Sequence, residues 1–232
     1  MPQKWPQLRS RSRLSAMSMN AYARRLSPFE VAAIKRNPAA ATSIATTGTL
    51  AGLHTKTPNL LRNIELLREG GGNGRLASPV LQRELERQIE RANAATRAAV
   101  SAGGSGPVLD LHKSWHVLHY LFTGEAHGGN PPANALLGGR ELGEDMGYGP
   151  ARLHEPAATA AFARFLAPLT AAELQRRIDI RRMSALGIYC CDDDGESGAA
   201  EINGDVGHYF PLLQGFVAEA AKDGHGLLMW LS

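Results

Sequence analysis

Cysteine and long hydrophobic runs are scarce in this sequence, and each shortage excludes a class of protein. The only two cysteines, Cys190 and Cys191, are adjacent, and a disulfide between neighbours closes a strained ring. They supply neither a disulfide framework nor a CxxC pair for zinc, which favours a reducing, cytoplasmic location. No window approaches the roughly 18 consecutive apolar residues that a membrane-spanning helix needs. The sequence therefore predicts a soluble cytoplasmic protein without a membrane partner.

The net charge of +3 arises at the start of the chain. Residues 1–18 contain four basic residues and no acid, so the remaining residues carry a net charge of −1. A nearly neutral body lacks the basic stripe that neutralises phosphates, which argues against a nucleic-acid partner. Because residues 1–18 are polar and have no apolar core of a signal peptide, we interpret them as a disordered basic tail.

We expect removal of residues 1–18 to leave the stability of the protein unchanged, because this segment has little apolar surface to bury. The thermal midpoint of the truncated chain should stay within about 2 °C of the full chain. A fall of several degrees, which corresponds to a loss of about 1 kcal/mol, would show that the tail packs against the domain.

Local signals along the chain predict more helix than strand. Ser27 with Glu30, and Thr170 with Glu173, have the spacing of capping boxes that begin helices. Apolar patterning predicts strands at 20–26, 186–191 and 226–231, and helices at 28–37, 59–69, 78–100, 111–123, 156–169 and 210–222. Residues 108–111 are either a further strand or the lead into the next helix. We interpret 125–150 as a long loop and 192–205 as an acidic loop. The fold class is α+β: a predominantly helical single domain with a small sheet of short strands.

The middle of the chain is the least patterned part. Residues 39–59 are rich in Ala, Thr and Gly, which predicts a loop with short helical pieces. Residues 70–107 begin and end with glycine-rich segments around a charged helix. The glycine-rich segments are compatible with a domain boundary at this point. However, the residues before them include few large apolar side chains from which a separate core could form. We therefore predict one domain over 19–232, with 70–107 as a flexible or exposed helical excursion.

Several motifs of this sequence resemble those of the YfbM-like proteins. They are Lys-Ser-Trp-His at 113–116 followed by His119, Leu-Gly-Gly at 137–139, Gly-Tyr-Gly-Pro-Ala-Arg at 147–152 and Gly-Ile-Tyr at 187–189. The resemblance extends from about residue 17 to 232 and is weakest over 39–105. It implies an α+β domain and brings no established activity. The sequence departs from the family pattern at His112, where an acidic residue is expected.

Three histidines, His112, His116 and His119, are spaced so that one helix would carry them along one side, at the border of an apolar arc. Imidazoles one turn apart can share a transition metal, but such pairs need a third ligand and supporting acceptors. Histidines that form hydrogen bonds at the helix edge, and a polar binding site, are the other interpretations. We favour the hydrogen-bonded histidines and predict no metal. The spacing of Gly143, Gly147 and Gly149 does not fit a dinucleotide fingerprint, so no cofactor is predicted.

The loop at 147–149 is the other candidate for a functional site. Tyr148 lies between two glycines, where backbone can approach a ligand closely, and loops carry function disproportionately. Trp115 is predicted to lie in the core through its place on the apolar arc, with a ligand wall as the alternative. The candidate site for a ligand or partner comprises Lys113, His116, His119, Asp145, Tyr148 and Arg152.

Two functional hypotheses follow, and the sequence leaves open whether the protein is an enzyme. The first is a non-catalytic cytosolic binding protein, such as an immunity-type inhibitor or an adaptor, whose acidic segment 192–205 meets a basic region of another protein. The alternative is a small-molecule-binding domain or enzyme with a polar cleft between the helix of Lys113 and His119 and the loop 147–149. No catalytic triad or nucleophile motif accompanies either hypothesis.

Overall fold

One antiparallel sheet organises the part of the chain that the computed structural model describes, residues 19–46, 106–191 and 196–232. Its strand order is β2-β1-β5-β4-β3. The strands are β1 (Ala21–Leu26), β2 (Val108–His112), β3 (Arg140–Asp145), β4 (Pro150–His154) and β5 (Gly226–Leu231). The helices in the described residues are α1 (Pro28–Arg36), α2 (Ala40–Thr46), α3 (Trp115–Thr123), α4 (Pro156–Leu166), α5 (Ala171–Gln175), α6 (Ile180–Ala185) and α7 (Glu196–Lys222). The predicted α+β class is confirmed.

Strand β5 lies at the centre of the sheet and is buried along its whole length. Successive side chains of a strand point to opposite faces, so an apolar residue is needed at every position when both faces are covered. Leu227, Met229 and Leu231 join a core built with α3, α4 and α7. Leu228 and Trp230 join a second core built with α1 and α2. The sheet therefore lies between two helical layers, and the predicted strand at 226–231 is confirmed.

The two helix starts predicted from capping boxes are present. The Ser27 hydroxyl accepts a hydrogen bond from the Glu30 amide (3.3 Å), and the Glu30 carboxylate accepts one from the Ser27 amide (2.7 Å). Thr170 and Glu173 repeat this arrangement at the start of α5. Reciprocal caps satisfy amides that have no acceptor within the first turn, which is why such local sequences define helix starts.

Two predicted segments differ from the structure at the sheet edge and after α6. The expected loop 125–150 contains the edge strand β3, which carries charged, exposed side chains around a single buried residue, Leu142. Charged edge strands lack the apolar alternation that identifies a strand. The predicted strand 186–191 is wrong, because its amides bond elsewhere: Ile188 donates to the Met183 carbonyl and Cys191 to the Ile188 carbonyl. These bonds make turns rather than a strand ladder.

The predicted acidic loop 192–205 is wrong from residue 196 onward, where α7 begins. Gly198, Gly204 and Asp205 lower the local helix propensity of this stretch. Burial at helical spacing outweighs that cost, because apolar side chains on one side of α7 enter the first core: Ile202, Val206, Phe210, Leu213 and Val217.

Several predictions fall on residues that the structure does not describe. They are the basic tail 1–18, the helix at 59–69, the excursion 70–107 apart from its last two residues, and positions 192–195. Within 39–59, helix α2 is a short helical piece of the kind expected.

Candidate functional site

Helix α3 is buried on all sides rather than along one arc. Every side chain from Trp115 to Phe122 is buried, including His116 and His119. The helix ends at Gly124, whose φ of 76° is the left-handed conformation that glycine adopts without strain. The histidines were predicted at the border of an apolar arc, and this placement is wrong, because neighbouring segments cover the polar side of the helix as well.

The three histidines at 112, 116 and 119 do not share one helix. His112 ends strand β2, has a φ of 50°, and is exposed. Its amide donates to the Asp110 carboxylate at 2.7 Å, which fixes the turn before α3. The chain changes direction between His112 and Trp115, so a row of three imidazoles cannot form. The predicted common helix face is therefore wrong for His112.

Trp115 lies in the core, as predicted, with 3% of its surface exposed. Its indole N–H donates to the Met19 carbonyl at 3.1 Å. The indole ring stacks on His116, with ring centroids 4.7 Å apart, and on Tyr189 at 6.2 Å. The side chain thus connects α3 with the start of β1 and with the segment that follows α6.

His116 uses both of its ring nitrogens to hold backbone. Nε2 lies 2.7 Å from the Ala126 carbonyl, and Nδ1 accepts the Tyr189 amide at 2.9 Å. This pair of bonds requires the neutral tautomer with the proton on Nε2. The pKa of His116 is lowered to about 4, chiefly by burial; the Ala126 bond opposes this shift and the nearby His127 adds to it. His116 therefore connects two chain segments as a neutral side chain.

His119 is fully buried, and neither ring nitrogen has a hydrogen-bond partner among the described residues. Burial lowers its pKa to about 4, and the electrostatic effects of His116 and His127 act in the same direction. His127 stacks on His116 with ring centroids 5.2 Å apart. The structure thus joins His116 and His119 to a third histidine, which sequence reasoning missed because His127 lies in a glycine-rich stretch without periodicity.

Asp145 and Arg152 have partners within the sheet edge. The Asp145 carboxylate accepts the amides of Gly147 (2.6 Å) and Gly149 (3.1 Å), so it shapes the turn between β3 and β4. Arg152 is 4% exposed and pairs with Glu141 across those strands at 3.4 Å. Tyr148, between the glycines, is half-buried and packs partly on the first core.

Lys113 and the 147–149 loop lie at the same end of the sheet. Lys113 follows β2, and the loop precedes β4, which is antiparallel to β5. Strands β1 and β5 lie between β2 and β4, so the two segments are about 14 Å apart at the typical strand spacing. Lys113 is half-buried. This end of the sheet holds both predicted motifs, whereas His116 and His119 lie inside the domain.

A groove lies between α1 and the start of α4, and no sequence pattern predicted it. It has a volume of about 580 Å³ and is lined by Pro28, Val31, Ala32, Lys35, Arg36 and Pro156. We call it the α1 groove. Phe29, in the first turn of α1, is 58% exposed. It shares a helix face with Ala32 and Arg36, three and seven residues further on.

The described residues contain no group of three or more His, Cys, Asp or Glu side chains arranged to hold a metal ion. Over the same part of the chain, no helix combines the length and the apolar character required to cross a membrane. Cys190 is exposed and Cys191 is buried.

The central antiparallel sheet and the helical layer on each face define this chain as an α+β domain. The chain belongs to the family described as Domain of unknown function (DUF1877), which it matches over residues 17–230. It is similar to the crystal structure of YfbM, a protein of unknown function from Escherichia coli, with 15% sequence identity and a TM-score of 0.47. That match covers 90% of this chain and 97% of YfbM. The resemblance predicted from the sequence motifs is confirmed. No curated protein matches.

Proposed function

We propose that this protein is a non-catalytic binding protein that recognises another protein through its surface, as an immunity-type inhibitor or an adaptor does. The observation that carries the proposal is Phe29, a large aromatic side chain that is 58% exposed beside the α1 groove. Aromatic residues beside concave surfaces are the usual anchors of protein–protein interfaces. The acidic segment that first suggested a basic partner is largely part of α7, so the α1 groove replaces it as the recognition surface.

The bonds of His116 agree with this proposal. A histidine that acts as a general acid or base must reach a substrate with one ring nitrogen. Both nitrogens of His116 are occupied by backbone groups, at 2.7 and 2.9 Å. The Lys-Ser-Trp-His motif thus contributes mainly to packing through Trp115 and His116.

Affinity capture from the cells that produce this protein tests the proposal. The tagged protein is purified after mild cross-linking, and each captured candidate is then purified and titrated against the untagged protein by calorimetry. We expect one candidate to bind directly with a Kd of about 1 μM or lower, typical of a specific complex. If no captured protein binds directly, while small molecules raise the thermal midpoint, the binding proposal is wrong.

A second candidate function is a small-molecule-binding domain or enzyme that uses the sheet end with Lys113 and the 147–149 loop. It is favoured by His119, whose two ring nitrogens are buried without a hydrogen-bond partner among the described residues. Buried polar atoms normally have a partner, so such atoms mark a place for water or a ligand group.

The variants Lys113→Met and Tyr148→Phe separate the two candidates, because each removes one polar group and keeps the approximate shape. In an enzyme, loss of a group that transfers protons lowers the rate by about 10²–10⁴. Under the binding proposal we expect partner affinity to change by less than about 1 kcal/mol, since both residues lie away from the α1 groove. Lys222→Met, at an exposed position on α7, is the matched control. A rate loss of the larger size, on any substrate found, would favour the enzyme.

A further inference from the structure

We propose that the α1 groove receives an acidic segment of the partner protein, with an apolar side chain of that segment packed against Phe29 and its carboxylates directed at Lys35 and Arg36. This inference rests on the proposed function and names the chemistry of the partner. Its basis is the combination of apolar shape and positive charge at one place on the described surface.

The apolar part of the groove suits one inserted side chain. Pro28, Val31, Ala32 and Pro156 present short or rigid side chains to the groove. Such residues lose little conformational entropy when they are covered, whereas long flexible side chains would lose much more. Phe29 adds a large apolar surface that is already exposed and has only two side-chain torsions to fix. A partner segment with one aromatic or aliphatic residue would cover both surfaces together.

The charged part of the groove has an excess of cations. The Lys35 ammonium lies 2.7 Å from the Glu155 carboxylate. Arg36 has no carboxylate partner among the described residues; its Nε donates to the Ala32 carbonyl at 3.3 Å. An arginine guanidinium binds carboxylates through two parallel hydrogen bonds, and its remaining donors here are available for a partner. Asp or Glu side chains are therefore the complementary groups.

Helix α4 begins at the same place, and the Glu155 carboxylate at its start offsets part of the positive potential of its first turn. Its N-cap residue, Glu155, makes no capping hydrogen bond with its side chain, and Pro156 is its first residue. The amides of the first turn of a helix have no acceptor within the helix and carry partial positive charge. Two cations, one carboxylate and one helix end are too few for the phosphates of a nucleic acid, and the body of the chain is nearly neutral. They match an acidic peptide segment.

A phage-displayed library of random peptides of about a dozen residues tests the inference, and the full-length protein is the target. Peptides are selected on wild type and then measured on a groove variant, Phe29→Ser with Lys35→Gln and Arg36→Gln. We expect the enriched peptides to carry an apolar residue near several Asp or Glu residues. Their affinity for the groove variant should fall by about tenfold or more, and their binding to wild type should weaken at high salt.

The matched control variant is Leu212→Ser with Lys222→Gln, which removes an exposed apolar residue and a cation from α7, in the helical layer on the other face of the sheet. It should bind the selected peptides as wild type does. Thermal midpoints of both variants must lie close to that of wild type; if the groove variant does not fold, Arg36→Gln alone replaces it. Peptides that bind the groove variant undiminished, basic or uncharged peptides, or a failure to enrich any peptide would overturn the inference.

The two proposals can fail separately. A captured protein that binds the groove variant as tightly as wild type would overturn the assignment of the α1 groove and leave the binding function intact. If no protein partner binds directly, the proposed function fails, whatever the peptides show about the groove.

Discussion

Replacement of Trp115 by alanine is expected to lower the free energy of unfolding by about 3–5 kcal/mol, the usual cost of truncating a buried aromatic side chain. The indole is 3% exposed, stacks on His116 and Tyr189, and donates its N–H to the Met19 carbonyl. Its removal opens a cavity where three chain segments meet. Because a typical domain is stable by only about 5–15 kcal/mol, this single change removes a large share of the stability.

Urea denaturation followed by circular dichroism measures this effect. The matched variant is Trp115→Phe, which keeps an aromatic ring in the stack and loses the N–H donor. We expect it to cost clearly less than Trp115→Ala, although the Met19 carbonyl loses its indole donor. A Trp115→Ala midpoint close to that of wild type would mean that the indole contributes little to the core, which would reopen its role as a ligand contact.

Acidification from pH 6.5 to pH 4 is expected to destabilise the protein well before most carboxylates are protonated. Burial lowers the pKa of His116 and of His119 to about 4, from an ordinary value of 6.5. Between these pH values the unfolded chain binds more protons than the folded one. The stabilising contribution is therefore complete above about pH 6.5 and is lost as the pH falls to about 4. Each histidine accounts for about 3 kcal/mol over this window.

The physical cause is clearest at His116. A protonated ring carries hydrogens on both nitrogens, so Nδ1 could no longer accept the Tyr189 amide. The free energy of unfolding is measured by urea titration at several pH values. We expect His119→Leu to reduce the pH dependence and not abolish it, because burial also lowers the pKa of His116, His127 and His154. It should keep or gain stability at neutral pH, since it replaces two buried ring nitrogens that have no partner among the described residues.

His208→Gln is the control for this experiment, because His208 is exposed on α7. Its pH dependence should match that of wild type. A wild-type stability that stays constant from neutral pH to about pH 5 would contradict the buried, neutral state of the two histidines on α3.

The histidines of α3 show which features depend on local spacing and which depend on the folded chain. Spacing alone placed three imidazoles on one helix, but the turn between β2 and α3 removes His112 from that helix. The partners of His116 come from segments 10 and 73 residues away in sequence. No local sequence pattern can predict such partners, because they depend on how distant segments of the chain pack together. For the same reason the contact of His127 with His116 was not predicted. It forms only because the segment after α3 folds back over that helix.

The sequence by itself determined what depends on neighbours within a few residues. The capping boxes at Ser27 and Thr170, the apolar strand β5 and the end of α3 at Gly124 follow from bonds or dihedral angles within a single turn. The family motifs are likewise short and local.

Only the tertiary structure decided the features in which long-range burial outweighs local preference. The segment from residue 196 onward forms helix α7, because burial of Ile202, Val206 and Phe210 in the core stabilises the helix by more than its glycines destabilise it. The tertiary structure made β3 a strand through pairing with β4, although its charged sequence resembles a loop. It also placed the α1 groove between a helix near residue 30 and one that begins at residue 156. A surface formed by segments so distant in sequence exists only after the sheet has brought them together.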